Sequence, residues 1–272
     1  MEVIVDSGAT KAEWCVLDRG TVRERFLTPG INWATASRET ADGILSDAAV
    51  RIGGGVRQLR FFGAGMTEGA SARLRTFFPD AEIECASDLL AAARAVCGRQ
   101  AGIAAILGTG SNTCRYDGES IADHIHPCGY ILGDEGGAAC LGKRFLGEFL
   151  KGRVPTSVAA AFSAAYPSDY ATVVREVYRG EAPGRYLGSF APWILGWYGK
   201  DPWMTDLVEE NLRDFIRIFL SRYDTDRYPV GVVGGFGTAC RPILEKVGGG
   251  IRFSRFLSAP MDGLIEYYGG KN

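Results

Sequence analysis

Histidine is nearly absent: His124 and His126 are the only two in 272 residues. They stand two apart on a strand-like stretch, which makes a zinc site hard to assemble and a surface role the expectation. Cysteine is present but unpaired in sequence. The seven cysteines, at 15, 85, 97, 114, 128, 140 and 240, form no Cys-x-x-Cys pair, and an odd, scattered set reads as reduced thiols buried as small hydrophobes. There is no Lys/Arg-rich run, and a formal net charge of -2 offers no broad basic field, which argues against nucleic acid as a partner. No segment carries 18 uninterrupted apolar residues, and Met1 to Asp6 run straight into a turn without the charged and apolar regions of a signal peptide. The expectation is a cytoplasmic protein with no membrane partner that acts on a small molecule.

What remains is ordinary for a globular chain: 46% hydrophobic and 23% charged residues, with 37 glycines as the surplus, which points to tight turns or phosphate loops. Length suggests two domains with a cleft between them. Met1 to Val5 and Glu13 to Leu17 read as strands around the loop Asp6-Ser7-Gly8-Ala9-Thr10-Lys11, and Asp18-Arg19-Gly20 turns the chain into a third strand. Helical and strand patterns then alternate up to a helix over 88–97 closed by Gly98. At Ile103 the opening phrase repeats: a strand, the loop Gly108-Thr109-Gly110-Ser111-Asn112, a strand and an Asp117-Gly118 turn, the mark of a duplicated fold. A helix is expected over 135–150, several more up to Tyr198, and a long amphipathic one over 202–223. Strands are expected over 228–233 and 251–253, and a last helix from Pro260. The domains are set at 1–100 and 101–272, with the last helix as a candidate to pack back on the first.

Asp6-x-Gly8-x-Thr10-Lys11 places a carboxylate at a strand end with a hydroxyl and an ammonium beyond it. Such a turn can cradle phosphoryl oxygens while Asp6 takes Mg²⁺, or it is simply a polar β-turn. Gly108 to Asn112 has the same character but neither the P-loop ending nor the G-x-G-x-x-G spacing. Gly234-Gly235-Phe236-Gly237 lies between a buried strand and a helix, where glycines admit a nucleotide or serve close packing. Ser87-Asp88 opens a helix, as a cap or as a general base at a cleft mouth. Asp134 and Glu135 lie in a glycine-rich turn with the same two readings. Asn32 and Trp33 set an amide and an aromatic face in a loop that suits a sugar or the core.

Taken in order, these loops resemble the acetate and sugar kinase, heat-shock ATPase and actin superfamily, with phosphate-1 at Asp6 to Lys11, phosphate-2 at Gly108 to Asn112 and the adenosine motif at Gly234 to Gly237. Gly-Ile-Asn-Trp at 30–33, Ser87-Asp88, Leu-Gly-Thr-Gly-Ser-Asn at 107–112 and Gly-Tyr-Ile-Leu-Gly-Asp-Glu-Gly at 129–136 are similar to the N-acetylglucosamine kinase group of the BadF/BadG/BcrA/BcrD ATPase family. The resemblance spans nearly the whole chain. It implies an α/β fold of duplicated ribonuclease-H-like domains and ATP and Mg²⁺ as cofactors. Asp6 is then the metal site and Asp88 the catalytic base. Ser7, Gly8, Ala9, Thr10, Lys11, Gly108, Thr109, Gly110, Ser111, Gly234, Gly235 and Phe236 would bind ATP, and Asn32, Asp88 and Asp134 would contact the sugar with Thr109 and Gly129 nearby. Trp33 and Tyr130 are candidates to line an acetamido pocket.

The chain departs from the group in Ala9, where glycine or serine is usual, in Trp33, and in the Gly-Phe-Gly-Thr that follows Gly234. The cysteine and histidine cluster of the zinc-containing sugar kinases is missing. Related alternatives are an activator ATPase of a redox partner, which would need cluster-binding cysteines where Cys140 is displaced, and a sugar-binding regulator. A homodimer is left open.

Overall fold

In the computed structural model, residues 1–269 are described except 9, 10, 35, 64, 68 and 168. The first strands are β1 (Glu2–Ser7), β2 (Lys11–Asp18) and β3 (Thr21–Pro29), followed by α1 (Arg38–Ile52), β4 (Gln58–Gly63), α2 (Gly69–Phe77), β5 (Glu82–Ser87) and α3 (Asp88–Cys97). The chain continues as β6 (Gly102–Leu107), β7 (Ser111–Tyr116), β8 (Ile121–Ile125), α4 (Gly129–Leu132), α5 (Ala138–Leu150), α6 (Thr156–Ala165) and α7 (Tyr170–Arg179). Then come α8 (Pro183–Gly188), α9 (Ala191–Leu195), α10 (Pro202–Ile218), β9 (Val230–Val233), α11 (Gly235–Ala239), α12 (Arg241–Val247), β10 (Phe253–Leu257) and α13 (Met261–Gly269). Contact density divides the chain into two units, residues 1–101, 116–122 and 259–272 in one and residues 102–115 and 123–258 in the other.

Each unit is built on a five-stranded sheet, in the order β3-β2-β1-β4-β5 and, read from its other edge, β8-β7-β6-β9-β10. The two orders are the same. In the first sheet β1, β2 and β3 are antiparallel neighbours while β1, β4 and β5 run parallel. In the second, β6, β9 and β10 are parallel, and the short link from β6 to β7 can join only antiparallel strands. This is the duplicated ribonuclease-H-like α/β architecture that the superfamily resemblance implies, and the duplication is the one that the repeated opening phrase suggests. The turn from β2 to β3 works because Arg19 and Gly20 both take positive φ, 51° and 77°, the conformation whose twist matches a two-strand hairpin.

Local signals set most element ends. Ser37 caps α1 by accepting from Thr40 N–H, and Gly53, at φ 77°, ends it. Ser87 caps α3 through Leu90 N–H, with Asp88 in its first turn. The larger differences from the sequence expectation lie at four ends. The helix expected over 202–223 ends at Ile218, because the chain tightens into a 3₁₀ turn over Leu220–Arg222 in which Arg222 N–H donates to Phe219 O. The helix expected from Glu135 begins at Ala138 because Gly136, inside the expected span, sits at φ 84°, which no right-handed helix accommodates. The strand expected over 228–233 begins at Val230, since Tyr228 N–H closes a turn onto Asp224. The strand expected over 251–253 is shifted to Phe253–Leu257, because Ile251 N–H closes a turn onto Gly248.

The first core is centred on Trp14, fully buried, its ring stacked on Phe26 at 5.8 Å and edge-on to Phe61 at 6.2 Å. The second is centred on Phe162, which meets Phe145, Phe149 and Trp193 edge to face or tilted at 4.8 to 5.0 Å. α13 packs on α3 and β1 within the first unit. Among the described residues no helix is long and apolar enough to cross a membrane.

Candidate active site

In the first unit the chemistry gathers at the C-terminal ends of the parallel strands. Ser7 of β1 pairs with Gly63 of β4, which pairs with Ser87 of β5. Asp6 precedes this row and Asp88 follows it. Asp6 is a carboxylate out of its usual range: its pKa rises from 3.8 to about 7, first because burial disfavours the anion, then because Asp88 and Glu13 add negative charge, with Lys11 pulling the other way. Glu13 stands opposite Asp6 in the β1–β2 ladder. Glu13 is paired with Arg25, whose Nη2 and Nε donate to Glu13 Oε1 at 2.6 and 2.8 Å, so Asp6 and Asp88 are the carboxylates at these strand ends that could offer oxygens to a hard divalent ion.

Hydrogen bonds already occupy part of the phosphate-1 loop. Gly8 N–H donates to Lys11 O at 3.0 Å, closing the hairpin. Ser7 Oγ accepts from Ile31 N–H at 2.9 Å and donates to Ile31 O at 3.2 Å. Ala9 and Thr10 lie outside the described residues. The Asn32 amide oxygen accepts from Ala34 N–H at 3.0 Å, an Asx turn, and it sits so close over Gly65 that a Cβ there would be 2.3 Å away. Trp33 packs edge-on against Phe61 at 5.6 Å, and its buried indole N–H has no protein partner.

In the second unit the loop Gly108 to Ser111 lies across the start of α5. Gly108 O and Thr109 O accept from Ala138 N–H and Ala139 N–H at 3.0 and 2.8 Å, which satisfies two of the four donors a helix start leaves open. Gly137 permits this contact, since a Cβ on it would be 2.8 Å from the Gly110 carbonyl carbon. The Asp134 carboxylate lies over Gly110, 2.7 Å from where a Cβ would be, and accepts from Ser111 N–H at 3.3 Å. Burial raises the Asp134 pKa, against the lowering effect of the Ser111 bond. Gly234, at φ 127°, brings the β9–α11 turn against the end of β6, where a Cβ would be 2.2 Å from Leu107 O. The Gly108–Asn112 loop and the glycine turn at Gly234 to Gly237 are therefore neighbours in one unit. Ser111 Oγ and Thr238 Oγ1 are buried there without a protein partner, the kind of orphan that a bound polar group or water satisfies.

Gly129, at φ 72°, starts the one-turn α4. Tyr130 lines a largely apolar cavity of about 430 Å³ with Lys143, Leu146, Val173 and Leu187 among its neighbours, and its carbonyl accepts from Lys143 Nζ at 2.7 Å.

Sequence reasoning did not single out Glu13, Gly65, Gly137 or Lys143. Glu13 was within reach, since folding the β1–β2 hairpin around the loop puts it opposite Asp6. The other three depend on contacts between segments far apart in the chain. His124 and His126 stack edge-on at 5.0 Å, with His124 Nε2 2.9 Å from Asn112 Oδ1. Among the described residues no group of three or more His, Cys, Asp or Glu is placed to hold a metal by itself, and all seven cysteines are free, with Cys140 buried in α5.

No family model and no curated protein matches the chain. Solved structures do. The “Putative N-acetylglucosamine Kinase” from Porphyromonas gingivalis aligns at a TM-score of 0.90 and 36% identity over 100% of this chain and 99% of that one. A second “Putative N-acetylglucosamine Kinase”, from Chromobacterium violaceum, aligns at 0.72 and 21% identity over 98% of each chain. A “putative sugar kinase” from Cytophaga hutchinsonii aligns at 0.52 and 13% identity over 99% and 98%. The last two speak for the fold alone.

Proposed function

The chain belongs to the same family as the Porphyromonas gingivalis protein, and on that premise we propose that it is an ATP-dependent sugar kinase whose acceptor is an amino sugar, N-acetylglucosamine first. The observation that carries the reading is the pair of carboxylates Asp6 and Asp88, which flank the ladder row Ser7–Gly63–Ser87 at the ends of β1, β4 and β5. Phosphoryl transfer from ATP needs such a division of labour: one carboxylate for the metal that accompanies the phosphates, another for the proton of the attacking hydroxyl.

Asp6 is the proposed Mg²⁺ ligand, directly or through water. Its place at a strand end, with the Asp88 carboxyl at the next-but-one strand end, fits an ion that habitually takes one or two protein oxygens plus water and phosphate. When bound, that ion supplies charge neutralisation for the phosphates. Asp88, held at the first turn of α3 by the Ser87 cap, accepts the proton of the sugar's primary hydroxyl as that oxygen attacks the γ-phosphorus in line. Lys11 offers an ammonium for phosphoryl oxygens. In the second unit Gly108 N–H and Ser111 N–H are taken by Gly110 O and Asp134, so the Thr109–Gly110 backbone and the Ser111 hydroxyl are the proposed phosphate contacts, and the glycine turn at Gly234 to Phe236 suits the adenosine.

The proposed sugar contacts in the first unit are Asn32 and Asp88, and in the second Asp134, with Thr109 and Gly129 beside it. Trp33 or Tyr130 is the proposed wall for an acetamido methyl. Sites built on paired polar groups discriminate strongly against analogues that leave those groups unmatched.

The test is sugar-dependent ADP release over N-acetylglucosamine, glucosamine, N-acetylmannosamine, N-acetylmuramic acid and glucose. The highest kcat/KM is expected for N-acetylglucosamine. ADP release that no sugar stimulates overturns the reading.

A further inference from the structure

We infer that Ser7 is a positioning residue for the acceptor side of the site, tying the Asn32 loop to the row of strand ends that carries Asp88, and that its hydroxyl is not a phosphate ligand. The inference rests on the kinase reading above for its functional meaning. The physical tie stands on its own.

The need for a tie comes from the sheet order. β3 pairs with β2, and β2 lies between β3 and β1, so the ladder gives the segment after Pro29 no bond to β1. Yet that segment carries Asn32 and Trp33. Ser7 bridges the gap with its side chain: Oγ accepts from Ile31 N–H and donates to Ile31 O, at 2.9 and 3.2 Å. One hydroxyl thereby does for Ile31 what a paired strand residue would do, satisfying both backbone groups. Ser7 and Ile31 are each 0% exposed, so water cannot stand in for the hydroxyl, and a buried donor and acceptor without partners are costly. A hydroxyl that makes both bonds has its one proton committed and no donor left for a phosphoryl oxygen.

The tie leads directly to Asp88. Ser7 pairs with Gly63, Gly63 with Ser87, and Ser87 caps the helix that begins at Asp88. From Ile31 to Asp88 the connection therefore runs through one side chain and a row of ladder pairs. Gly63 lies between them in a tight space, where a Cβ would be 3.2 Å from the Phe61 ring. Asn32 is fixed from its other side as well, by Ala34 N–H and by the floor that Gly65 provides. Loss of the Ser7 hydroxyl frees the residue just before Asn32 while leaving the Asp6 and Lys11 side chains in place.

The experiment compares Ser7→Ala, Ser7→Thr and Gly65→Ala with the wild type, reading KM for sugar and for ATP, kcat, and deuterium uptake by the peptide that spans Ile31. Ser7→Ala is expected to raise the sugar KM about tenfold, equivalent to about 1.4 kcal/mol, with the ATP KM within about twofold, and to speed exchange at Ile31. Ser7→Thr, which keeps the hydroxyl, is expected to restore both. Gly65→Ala, which displaces the Asn32 amide and sets a side chain at a φ of 64°, is expected to raise the sugar KM as well; if Ser7→Ala does not fold, Ser7→Cys, which weakens both bonds without emptying the site, decides the matter by the same exchange and KM readings.

A raised ATP KM with an unchanged sugar KM in Ser7→Ala makes the hydroxyl a phosphate ligand and overturns the inference. Unchanged exchange at Ile31 in Ser7→Ala also overturns it, as does an unchanged sugar KM in Gly65→Ala. If wild-type protein turns over no sugar, the kinase reading falls, while the exchange result still decides whether the tie exists.

Discussion

Replacing Asp6 by Asn should stabilise the metal-free protein at alkaline pH, although it removes a residue central to the proposed site. Asp6 is held with a pKa of about 7 against an ordinary 3.8, and burial is the first cause. The folded state therefore binds the Asp6 proton more tightly than the unfolded state does. That contribution is fully present below about pH 4 and is lost as pH rises through about 7. Over the whole window it amounts to about 4 kcal/mol, and because the carboxyl is only partly shielded from water, about half of that is the expected effect.

Asn is a neutral isostere of the protonated carboxyl and does not titrate. Urea unfolding of metal-free protein at pH 5 and pH 8 should give a smaller loss of stability for Asp6→Asn than for wild type, with the variant about 2 kcal/mol more stable at pH 8. Adding Mg²⁺ at pH 8 should stabilise wild type by mass action and leave Asp6→Asn unmoved, and Mg²⁺-dependent turnover should vanish in the variant. A variant less stable than wild type at pH 8, with its pH slope intact, would refute the reasoning, because it would mean that the Asp6 anion is already satisfied by the protein.

Asp88→Asn should lower phosphoryl transfer by about 10²-fold or more while ATP still binds. If Asp88 serves only as a first-turn helix residue, its loss should shift the melting temperature and leave the rate alone, so both are measured. Gly110→Ala should cost little stability, since the new methyl meets the movable Asp134 carboxylate, but it should raise the sugar KM in steady-state kinetics. Gly234→Ala should be far worse, by about 3 kcal/mol or more in urea unfolding, because its φ is 127° and the methyl meets the Leu107 carbonyl oxygen, which the sheet holds fast.

The fold was legible in the sequence to the extent that it is written in short-range signals. The repeated phrase of strand, small-residue loop, strand and Asp turn appears as two sheets of the same order, and Ser37, Gly53, Ser87 and Gly98 end their helices where capping chemistry places them. Two backbone details were hidden. Nothing in the composition of 133–137 says that a non-glycine residue, Asp134, takes a left-handed φ of 58° with its carboxylate over Gly110, or that Gly136, at φ 84°, cuts the expected helix short. The shift of β10 follows from a turn within Gly248 to Ile251, where a glycine run allows several paths. In the site, residue types at strand ends pointed to Asp6 and Asp88, whereas the use of the Ser7 hydroxyl depends on a contact with Ile31 across 24 residues that no local pattern encodes.

The central claim is tested most directly by the product formed when the protein is incubated with ATP, Mg²⁺ and N-acetylglucosamine, analysed by mass spectrometry and by phosphorus–proton NMR correlation. The account predicts that the sugar gains one phosphoryl group on its primary hydroxyl in step with ADP release, and that Asp88→Asn forms that product about 10²-fold more slowly or worse while still binding ATP. ADP and inorganic phosphate without any sugar phosphate, at the same rate with and without Asp88, would contradict it.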